Sequence, residues 1–456
     1  MIAVKDVAAK NMPTLSAIKE KLLAAGIETV RLEYIDIQGV NRGKILPVEM
    51  LDEIFEEGIA FCAAIMAIGF DNNVADVPGL SCYNYDDMKV VADPSRVFIL
   101  PYQEKTAMIL GDTVYHDVSM TQSPRWFLKN VIAEYNKLGL EPITASEMEF
   151  YLFNKDEEGT FPPYTNQTGN CYTSNVRIDP KGFFTELTSV LKKLDFNILY
   201  MNHEFYAGQY EYNWRHSDAL RSADETALFK GICKDIAEQK GMLATFMGRP
   251  KNENGGSGCH FHVSLNDVAT GKNLFDDPSG EEGMSPVMRH FVAGVLKHAP
   301  AMVAFLAPTI NCYKRFQPNS FAPYYIGWGY DNRTTFVRIP SERGKATRVE
   351  IRAGSAAANP YLAIGSILAA GLDGIKNKLE PPAIVTTDLY NDESLQRTTV
   401  PRSLFRALRE LENDEWMKKI AGSDLVNNFI AVKDAEVESF INHVHQWEWD
   451  FYSYHI

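Results

Sequence analysis

Residues 145–153 have the sequence ASEMEFYLF, in which Glu147 and Glu149 are separated by one apolar residue. Two later stretches repeat this spacing of two, HFH at 260–262 and RVEIR at 348–352. Residues two positions apart point to the same face of a β-strand. The pattern therefore predicts three strands of one sheet, each with a polar face and with the intervening residues on an apolar face.

Carboxylates are concentrated in these strands and in a fourth segment, residues 204–211, which has a glutamate at each end of a Gly-containing bend. Five glutamates that converge on one face repel one another unless cations neutralise them. Oxygen-rich sites with a single imidazole suit Mg²⁺ or Mn²⁺ better than zinc or copper. Arginines beside such metals favour an anionic substrate and are typical of phosphoryl transfer. Ordinary salt bridges would explain any one segment, but four in one chain favour a metal site.

The organisation of the chain predicts an α+β fold. Residues 1–115 form a small mixed unit with a helix predicted at 16–25 and two strands around a turn at 28–47. From Ser123 onward, long helical runs alternate with short strand-like segments, which predicts a large sheet with helices outside it. The predicted helices are 124–138, 182–194, 222–240, 286–305 and 360–377.

Composition excludes several classes of protein. The chain has 456 residues, 45% hydrophobic and 23% charged, a length that predicts more than one domain. A net charge of -14 repels phosphate backbones, so no nucleic acid partner is expected. Six scattered cysteines without a CxxC pair indicate reduced thiols. No secretory signal opens the sequence, and its longest apolar stretches are too short for a bilayer of about 30 Å, so we expect a soluble, cytoplasmic protein without a membrane partner.

At the polar segments the sequence resembles type I glutamine synthetases, and the likeness runs from about residue 15 to the C-terminus. The motifs, in order, are EMEF, NHEFYAGQYE, ATFMGRP, GGSGCHFHVS, NCYKRFQP, NRTTFVRIP, RVEIRAGSAAANPYL and AAGLDGIKNKL. The resemblance implies an N-terminal β-grasp domain at 1–115 and a glutamine synthetase catalytic domain at 116–456, an antiparallel sheet with surrounding helices. It also implies an ATP-dependent ligase that forms γ-glutamyl phosphate from glutamate, and a double-ring dodecamer whose active sites lie between neighbouring subunits.

The resemblance also assigns expected roles to single positions. Two or more Mg²⁺ or Mn²⁺ ions would be held by Glu147, Glu149, Glu204, Glu211, His260 and Glu350. ATP and its phosphates would contact His262, Ser264, Arg333, Arg338 and Arg348. Glutamate would be gripped by Gly256, Arg315 and Arg352. Catalytic roles would fall to Glu204 as proton acceptor, to Arg333, and to Asp36, which matches an aspartate that reaches into the next subunit's site.

Three departures from the family's motifs lie on the side where ammonia would bind. Phe321 replaces a flap glutamate, Cys62 replaces a β-grasp aspartate, and Gly255 replaces an asparagine beside the glutamate-binding glycine. An apolar ring in place of a carboxylate favours an organic amine over ammonium. These departures resemble those of γ-glutamyl-amide synthetases, and RFQP with WGYDNR resembles the γ-glutamylpolyamine branch. The predicted amine pocket, for whose aromatic rings core packing is the alternative, consists of Phe321, Cys62, Phe205, Tyr206 and Trp328.

Three functions stay open on the sequence. The first is a glutamate–amine ligase, with a monoamine favoured over a polyamine because no extra carboxylate near the flap would hold a second ammonium. The second is an ammonia-using glutamine synthetase. The third is a non-catalytic nitrogen-sensing or scaffold paralogue, against which the retained metal positions argue. Two weaker motifs are Tyr390, which resembles a tyrosine that is adenylylated in some relatives, and His443-x-His445, for which helix capping is favoured over metal binding.

Overall fold

The computed structural model describes residues 13–77, 86–166, 169–395 and 397–456, and it begins with a small sheet flanked by helices. The elements of this part are α1 (Leu15–Ala24), β1 (Thr29–Ile35), β2 (Asn41–Pro47), α2 (Leu51–Glu56), β3 (Ile59–Cys62), β4 (Asp87–Ile99), β5 (Thr106–Tyr115) and β6 (Val118–Ser119). Its strand order is β2-β1-β5-β4-β3, with β6 paired to β5. The β1–β5 pair is parallel and β1–β2 is an antiparallel hairpin, as residues 28–47 predict.

Local sequence signals explain where these elements begin and turn. The Thr14 hydroxyl accepts a hydrogen bond from the backbone N–H of Ala17 at 3.3 Å and so caps α1. One face of α1 then buries Ile18 and Leu22 in the apolar core of this part. Gly39, in the turn after β1, has a φ of 80°, which glycine adopts without steric strain.

The remainder of the chain surrounds a second, larger sheet. Its first elements are α3 (Pro124–Asn136), β7 (Leu140–Asn154), α4 (Phe183–Lys193), β8 (Ile198–His203), β9 (Gln209–Trp214), β10 (Ser217–Asp218), α5 (Ala219–Gln239), β11 (Met242–Thr245) and β12 (Cys259–Asp267). The others are α6 (Pro286–Leu306), β13 (Tyr325–Ile326), β14 (Trp328–Tyr330), β15 (Val337–Ile339), β16 (Val349–Ile351), α7 (Pro360–Asn377), β17 (Thr398–Thr399), α8 (Leu404–Asn413), α9 (Glu415–Ala421), α10 (Ser423–Ile441) and α11 (Gln446–Tyr452).

The large sheet has the order β14-β15-β16-β12-β7-β9-β8, and β10 and β11 also pair with β7. Neighbours are antiparallel except β14 and β15. The five long helices predicted from the sequence are all present. The largest shift is at the start of α5, which begins three residues before the predicted start because the Asp218 carboxylate accepts from the Arg221 backbone N–H at 3.0 Å and caps the helix there.

The apolar residues of the three polar strands form the other side of the sheet, as predicted. Met148 is 1% exposed, and Phe261 and Ile351 are fully buried. This apolar face packs on α5 through Phe150 and Phe229, whose ring centroids are 5.9 Å apart. Packing on one face leaves the opposite face of the same strands free to carry the polar side chains.

A buried arginine joins the two parts of the chain. The Arg125 guanidinium, on α3, donates to Asp93 and Asp112 of the small sheet at 2.8 and 2.7 Å, and to Asp224 of α5 at 3.0 Å. The division near residue 115 stays a prediction. Within the described residues, no helix has the length and apolarity needed to cross a bilayer. Of the six cysteines, Cys171, Cys233, Cys259 and Cys312 are free thiols, whereas Cys82 lies outside the described residues.

Candidate active site

The strand register aligns the predicted polar residues in rows across the large sheet. Glu211 of β9 lies opposite Glu149 of β7. Glu147 lies opposite His260 of β12. The row continues with His262 opposite Glu350, and with Glu350 opposite Arg338. Because these residues alternate with apolar ones, all of their side chains lie on one face.

The first group of possible metal ligands consists of Glu147, His260 and Glu350, which each offer one ligand atom within 4.8 Å of the others. His260 Nδ1 lies 3.2 Å from Glu147 Oε2 and 3.8 Å from Glu350 Oε1. His262 Nε2 lies 2.9 Å from the other oxygen of Glu147. Burial raises the pKa of Glu147, but the charges of His262 and His260 outweigh it and hold this pKa well below the usual range.

The second group consists of Glu149, Glu211 and His260, also within 4.8 Å of one another. Glu204, which the sequence resemblance assigns to the metal ligands, is not part of this 4.8 Å group, although its charge interacts with that of Glu149. Burial, and then the charges of Glu147 and Glu149, raise the pKa of Glu211 to about 9. Burial, and then the charge of Glu149, raise the pKa of Glu204 to about 7. The carboxylates therefore crowd one another in a way that bound cations would relieve.

This donor set fits hard divalent cations. It offers carboxylate oxygens and one imidazole shared between the two groups, as expected for Mg²⁺ or Mn²⁺. Both groups of three that could hold a metal among the described residues lie on this face. His443 and His445 join no such group; instead, His445 forms a capping box with Glu448 at the start of α11, the alternative that the sequence favours.

Three side-chain amides orient the glutamates and were not predicted. Asn202 donates to Glu204 at 2.7 Å, Asn213 donates to Glu211 at 2.8 Å, and Gln209 donates to Glu149 at 3.1 Å. The sequence contains a signal for two of these contacts, because Asn202 and Asn213 each lie two positions from the glutamate to which they donate. Such donors leave the remaining carboxylate oxygens facing the centre of the site.

Two arginines grip the carboxylate of Glu350. Arg338 donates to its Oε2 at 2.5 Å, and Arg352 donates to its Oε1. Burial raises the pKa of Glu350, but the charge of Arg352, followed by that of His262, holds it at about 2. The remaining positions expected at the phosphates are Arg348, Ser264 and Arg333. Arg348 Nε donates to His262 Nδ1 at 3.1 Å, Ser264 is half-buried on β12, and Arg333 is exposed before β15.

The residues expected to grip glutamate form one contact group. A Cβ at Gly256 would lie 2.3 Å from Arg315 Cγ, so only glycine allows this approach. The Arg315 guanidinium donates to the backbone carbonyls of Ala353 and Arg352 at 3.1 and 3.0 Å. Arg352 Nε is buried and has no hydrogen-bond partner among the described residues. A buried donor of this kind is costly unless a ligand satisfies it, and an anionic substrate would do so.

The predicted amine pocket is only partly assembled. Phe321 is 56% exposed, and its ring stacks on Phe205 with centroids 6.1 Å apart. The ring of Tyr206 lies against Gly255. Trp328, by contrast, is 3% exposed, and its indole N–H donates to the Pro382 carbonyl at 2.8 Å, so its contacts are those of a core residue. Cys62 lies at the end of β3 in the small sheet, opposite Asp87.

Asp36, expected to reach a neighbouring subunit's site, is bonded within its own chain. Its carboxylate is fully buried, and its role toward a neighbour stays a prediction. One oxygen accepts from the backbone N–H groups of Gln38 and Val40, both at 2.9 Å, and the other accepts from Arg42 at 2.8 Å. These bonds close the turn between β1 and β2 and leave no carboxylate oxygen facing outward. Burial raises the pKa of Asp36, because these bonds only partly offset the cost of removing the charge from water.

Comparisons with known sequences show which family this chain is similar to. A family model described as glutamine synthetase, catalytic domain, matches residues 121–452. The glutamine synthetase of Pyrococcus woesei is 35% identical over 425 residues, which cover 92% of each chain. That of Halobacterium salinarum is 33% identical over 446 residues, 96% of each chain, and that of Rhizobium meliloti is 32% identical over 431 residues, 93% of this chain and 96% of the relative.

Solved structures of GmaS share the fold. Apo GmaS aligns with a TM-score of 0.86 at 32% identity and covers 96% of this chain and 99% of its own. The GmaS/ADP complex aligns with a TM-score of 0.86 at 31% identity, and the alignment covers 95% of this chain and 99% of the GmaS chain. These matches confirm the α+β fold predicted from the sequence. Because the catalytic family model spans most of the chain and its relatives align over more than nine-tenths of it, this protein belongs to the glutamine synthetase family and is an ATP-dependent carbon–nitrogen ligase.

Proposed function

We propose that this ligase joins the γ-carboxylate of glutamate to a small organic amine, through a γ-glutamyl phosphate formed with ATP. The observation that carries the proposal is Phe321, an exposed aromatic ring at the position where the family's flap glutamate is expected. Its ring stacks on Phe205, the residue after Glu204. An apolar surface beside a carboxylate suits an alkylammonium ion, which carries both a charge and an apolar substituent.

The residues would divide the reaction between two sides of the site. Mg²⁺ or Mn²⁺, when bound by the two glutamate–histidine groups, would neutralise the phosphate oxygens of ATP and of the acyl phosphate. Arg338, Arg348 and Arg333 would stabilise the negative charge of the transferring phosphoryl group, with His262 and Ser264 at the nucleotide. Gly256, Arg315 and Arg352 would orient glutamate so that its γ-carboxylate meets the phosphate.

The amine would enter from the side of Phe321. It must lose a proton before its lone pair can attack the acyl carbon and displace phosphate, and Glu204, which precedes Phe205 in the chain, is the proposed proton acceptor. Burying the substituent against the rings of Phe321 and Phe205 contributes roughly 0.8 kcal/mol per methylene. Ammonium lacks a substituent, so it gains nothing from these rings.

The comparison with GmaS supports the choice of an organic amine. GmaS is a γ-glutamylmethylamide synthetase, and its structures match this chain over nearly its full length. The family resemblance also supports a cytoplasmic, double-ring dodecamer with domains at 1–115 and 116–456. Light scattering of the purified protein would test that assembly.

An amine panel tests the proposal directly. Phosphate release would be measured with glutamate and ATP against ammonia, methylamine, ethylamine, isopropylamine, ethanolamine, putrescine, spermidine and an aniline. We expect kcat/KM to be highest for one of the organic amines. Preference for ammonia over every amine tested would contradict the proposal. Glu149→Ala serves as the metal-site control, and its turnover is expected to be lost while the fold is retained.

A second candidate is an ammonia-using glutamine synthetase. The observation that favours it is the name of the curated relatives, which are glutamine synthetases at 31–35% identity. In that case ammonium would have one anionic neighbour fewer than in relatives that keep the flap glutamate, because Phe321 replaces it. The same panel distinguishes the two candidates, because the second requires the highest kcat/KM with ammonia.

A further inference from the structure

The loop that carries Phe321 has a strained backbone. Asn319 and Phe321 have φ values of 61° and 57°, in the left-handed region that residues other than glycine rarely adopt. Such conformations persist only where the surrounding structure holds them in place. The Phe321 ring is more than half exposed, so burial of that ring is not what fixes the backbone.

Two consecutive backbone carbonyls of the loop accept hydrogen bonds from distant side chains. The carbonyl of Phe321 accepts from Arg352 Nη2 at 3.3 Å. The carbonyl of Ala322 accepts from the Tyr390 hydroxyl at 2.6 Å. The second bond is the shorter, and Tyr390 is only 7% exposed, so water competes little for it.

Tyr390 is itself held in position. The carboxylate of Asp388 accepts from the backbone N–H of Tyr390 at 2.9 Å. The next residue, Asn391, donates to the Asn319 side chain at 3.2 Å, at the other end of the loop. The segment around Tyr390 is therefore hydrogen-bonded to the loop both before Phe321, at Asn319, and after it, at Ala322.

We propose that Tyr390 is a positioning residue for the amine site. Its hydroxyl holds the Ala322 carbonyl, which keeps the preceding residue in the left-handed region and its ring against Phe205. Removing the hydroxyl releases the Ala322 carbonyl, and Phe321 relaxes toward negative φ, which turns its ring away from Phe205. The identity of the amine rests on the proposed function, whereas the restraint of the loop does not.

The test compares two tyrosines that make the same kind of bond. Tyr390→Phe removes the donor to Ala322 and retains the ring. Tyr135→Phe is the matched control, because the buried Tyr135 hydroxyl donates to the Leu368 carbonyl at 2.8 Å, between α3 and α7. Both would be made in the full-length enzyme. Hydrogen–deuterium exchange of residues 319–322 would be measured together with KM for the amine, ATP and glutamate.

We expect Tyr390→Phe to accelerate exchange of the loop amides and to raise KM for the preferred organic amine by about two- to ten-fold, the range of one hydrogen bond. KM for ATP and glutamate is expected to stay within twofold, and Tyr135→Phe to change neither the loop nor the amine KM. Unchanged loop exchange in Tyr390→Phe, or equal acceleration in Tyr135→Phe, would overturn the proposal. If the wild-type enzyme prefers ammonia, the proposed function fails while loop exchange still decides the role of Tyr390.

Discussion

The ring of Tyr206 lies so close to the backbone of Gly255 that a Cβ at position 255 would be 2.1 Å from its Cε2 atom. Gly255 does not have a positive φ, so this close approach, rather than backbone conformation, requires glycine. The family's asparagine at 255 cannot coexist with Tyr206 in this position. The two residues therefore form one structural unit beside Gly256, on the amine side of the site.

The first prediction tests this unit. We expect Gly255→Asn to cost about 1–3 kcal/mol of stability through overpacking and to lower activity with the preferred amine. In a Tyr206→Ala background the same substitution is expected to be nearly neutral, because the ring that it meets is gone. A double-mutant cycle by denaturant unfolding measures the coupling. Strictly additive effects would show that the two residues do not constrain each other.

The second prediction concerns Phe321. Phe321→Glu replaces the apolar ring with a carboxylate, so it favours ammonium and removes the surface that buries the substituent. For an amine with two methylenes, we expect the organic-amine to ammonia ratio of kcat/KM to fall about tenfold. The change is expected to be incomplete, because Cys62 still replaces the family's aspartate.

Phe405→Glu is the matched control for that substitution. Phe405 is a similarly exposed phenylalanine, 52% against 56%, on α8. Kinetics with both nucleophiles are expected to match the wild type in this variant. An unchanged ratio in Phe321→Glu would remove Phe321 from the amine site.

The third prediction concerns the crowded carboxylates. The pKa of Glu211 is about 9 against an ordinary value of 4.5, so the metal-free folded protein binds this proton more tightly than the unfolded chain does. The contribution of Glu211 to the stability of the metal-free protein therefore falls as pH rises from 4.5 to 9. In the presence of a chelator at pH 8, we expect Glu211→Gln to have a higher Tm than the wild type.

Added Mg²⁺ or Mn²⁺ is expected to reverse that order, because a ligand that binds only the folded state raises its stability and Glu211→Gln has lost a ligand. Glu141→Gln, at the exposed beginning of β7, is the control and should respond to metal as the wild type does. A Glu211→Gln variant less stable than wild type in chelator would contradict the crowding argument.

The fourth prediction concerns a buried histidine between helices. His298 on α6 contacts Asp414 and Asp373 at 2.6 and 3.0 Å. Burial lowers the pKa of His298, but the bonds to Asp414 and Asp373 outweigh it and raise this pKa above 6.5. The charged form therefore stabilises the fold fully below pH 6.5, and this stabilisation is lost as pH rises through the folded-state pKa.

We accordingly expect His298→Gln to lower Tm more at pH 6 than at pH 9. The pKa values of Asp373 and Asp414 are lowered, since their bonds to neighbouring cations outweigh burial, so both stay charged across this range. His290→Gln, at a half-buried histidine on the same helix, is the control for a general helix effect. A loss of Tm that is equal at both pH values would refute the role of the His298 charge.

Much of the site could be predicted from local patterns. Alternation in residues 145–153, 260–262 and 348–352 determines which side chains share a face, because the period of a strand is set by its own backbone. For this reason the sequence predicts that Glu147 and Glu149 share one face of a strand, as they do in β7. The same reasoning predicted the long helices to within a few residues of their ends.

Burial and pairing of single residues were not predictable in this way. The Asp36 carboxylate, for example, is buried and closes a turn in its own chain. Trp328 lies next to the flap in sequence, but its indole is bonded in the core. In each case a local motif leaves two environments possible, and only the position of the rest of the chain selects one.

By itself, then, the sequence determined the strands and the helices, since these follow from periodicity, and it indicated the family through the resemblance of its motifs. Tertiary structure decided that Glu149 lies opposite Glu211, that Tyr206 requires Gly255, and that Tyr390 holds the Phe321 loop. The first contact joins residues that are 62 positions apart in the sequence, and each of the other two joins residues that are at least 49 positions apart. Strand register and long-range contacts depend on the packing of the whole chain, which no local pattern contains.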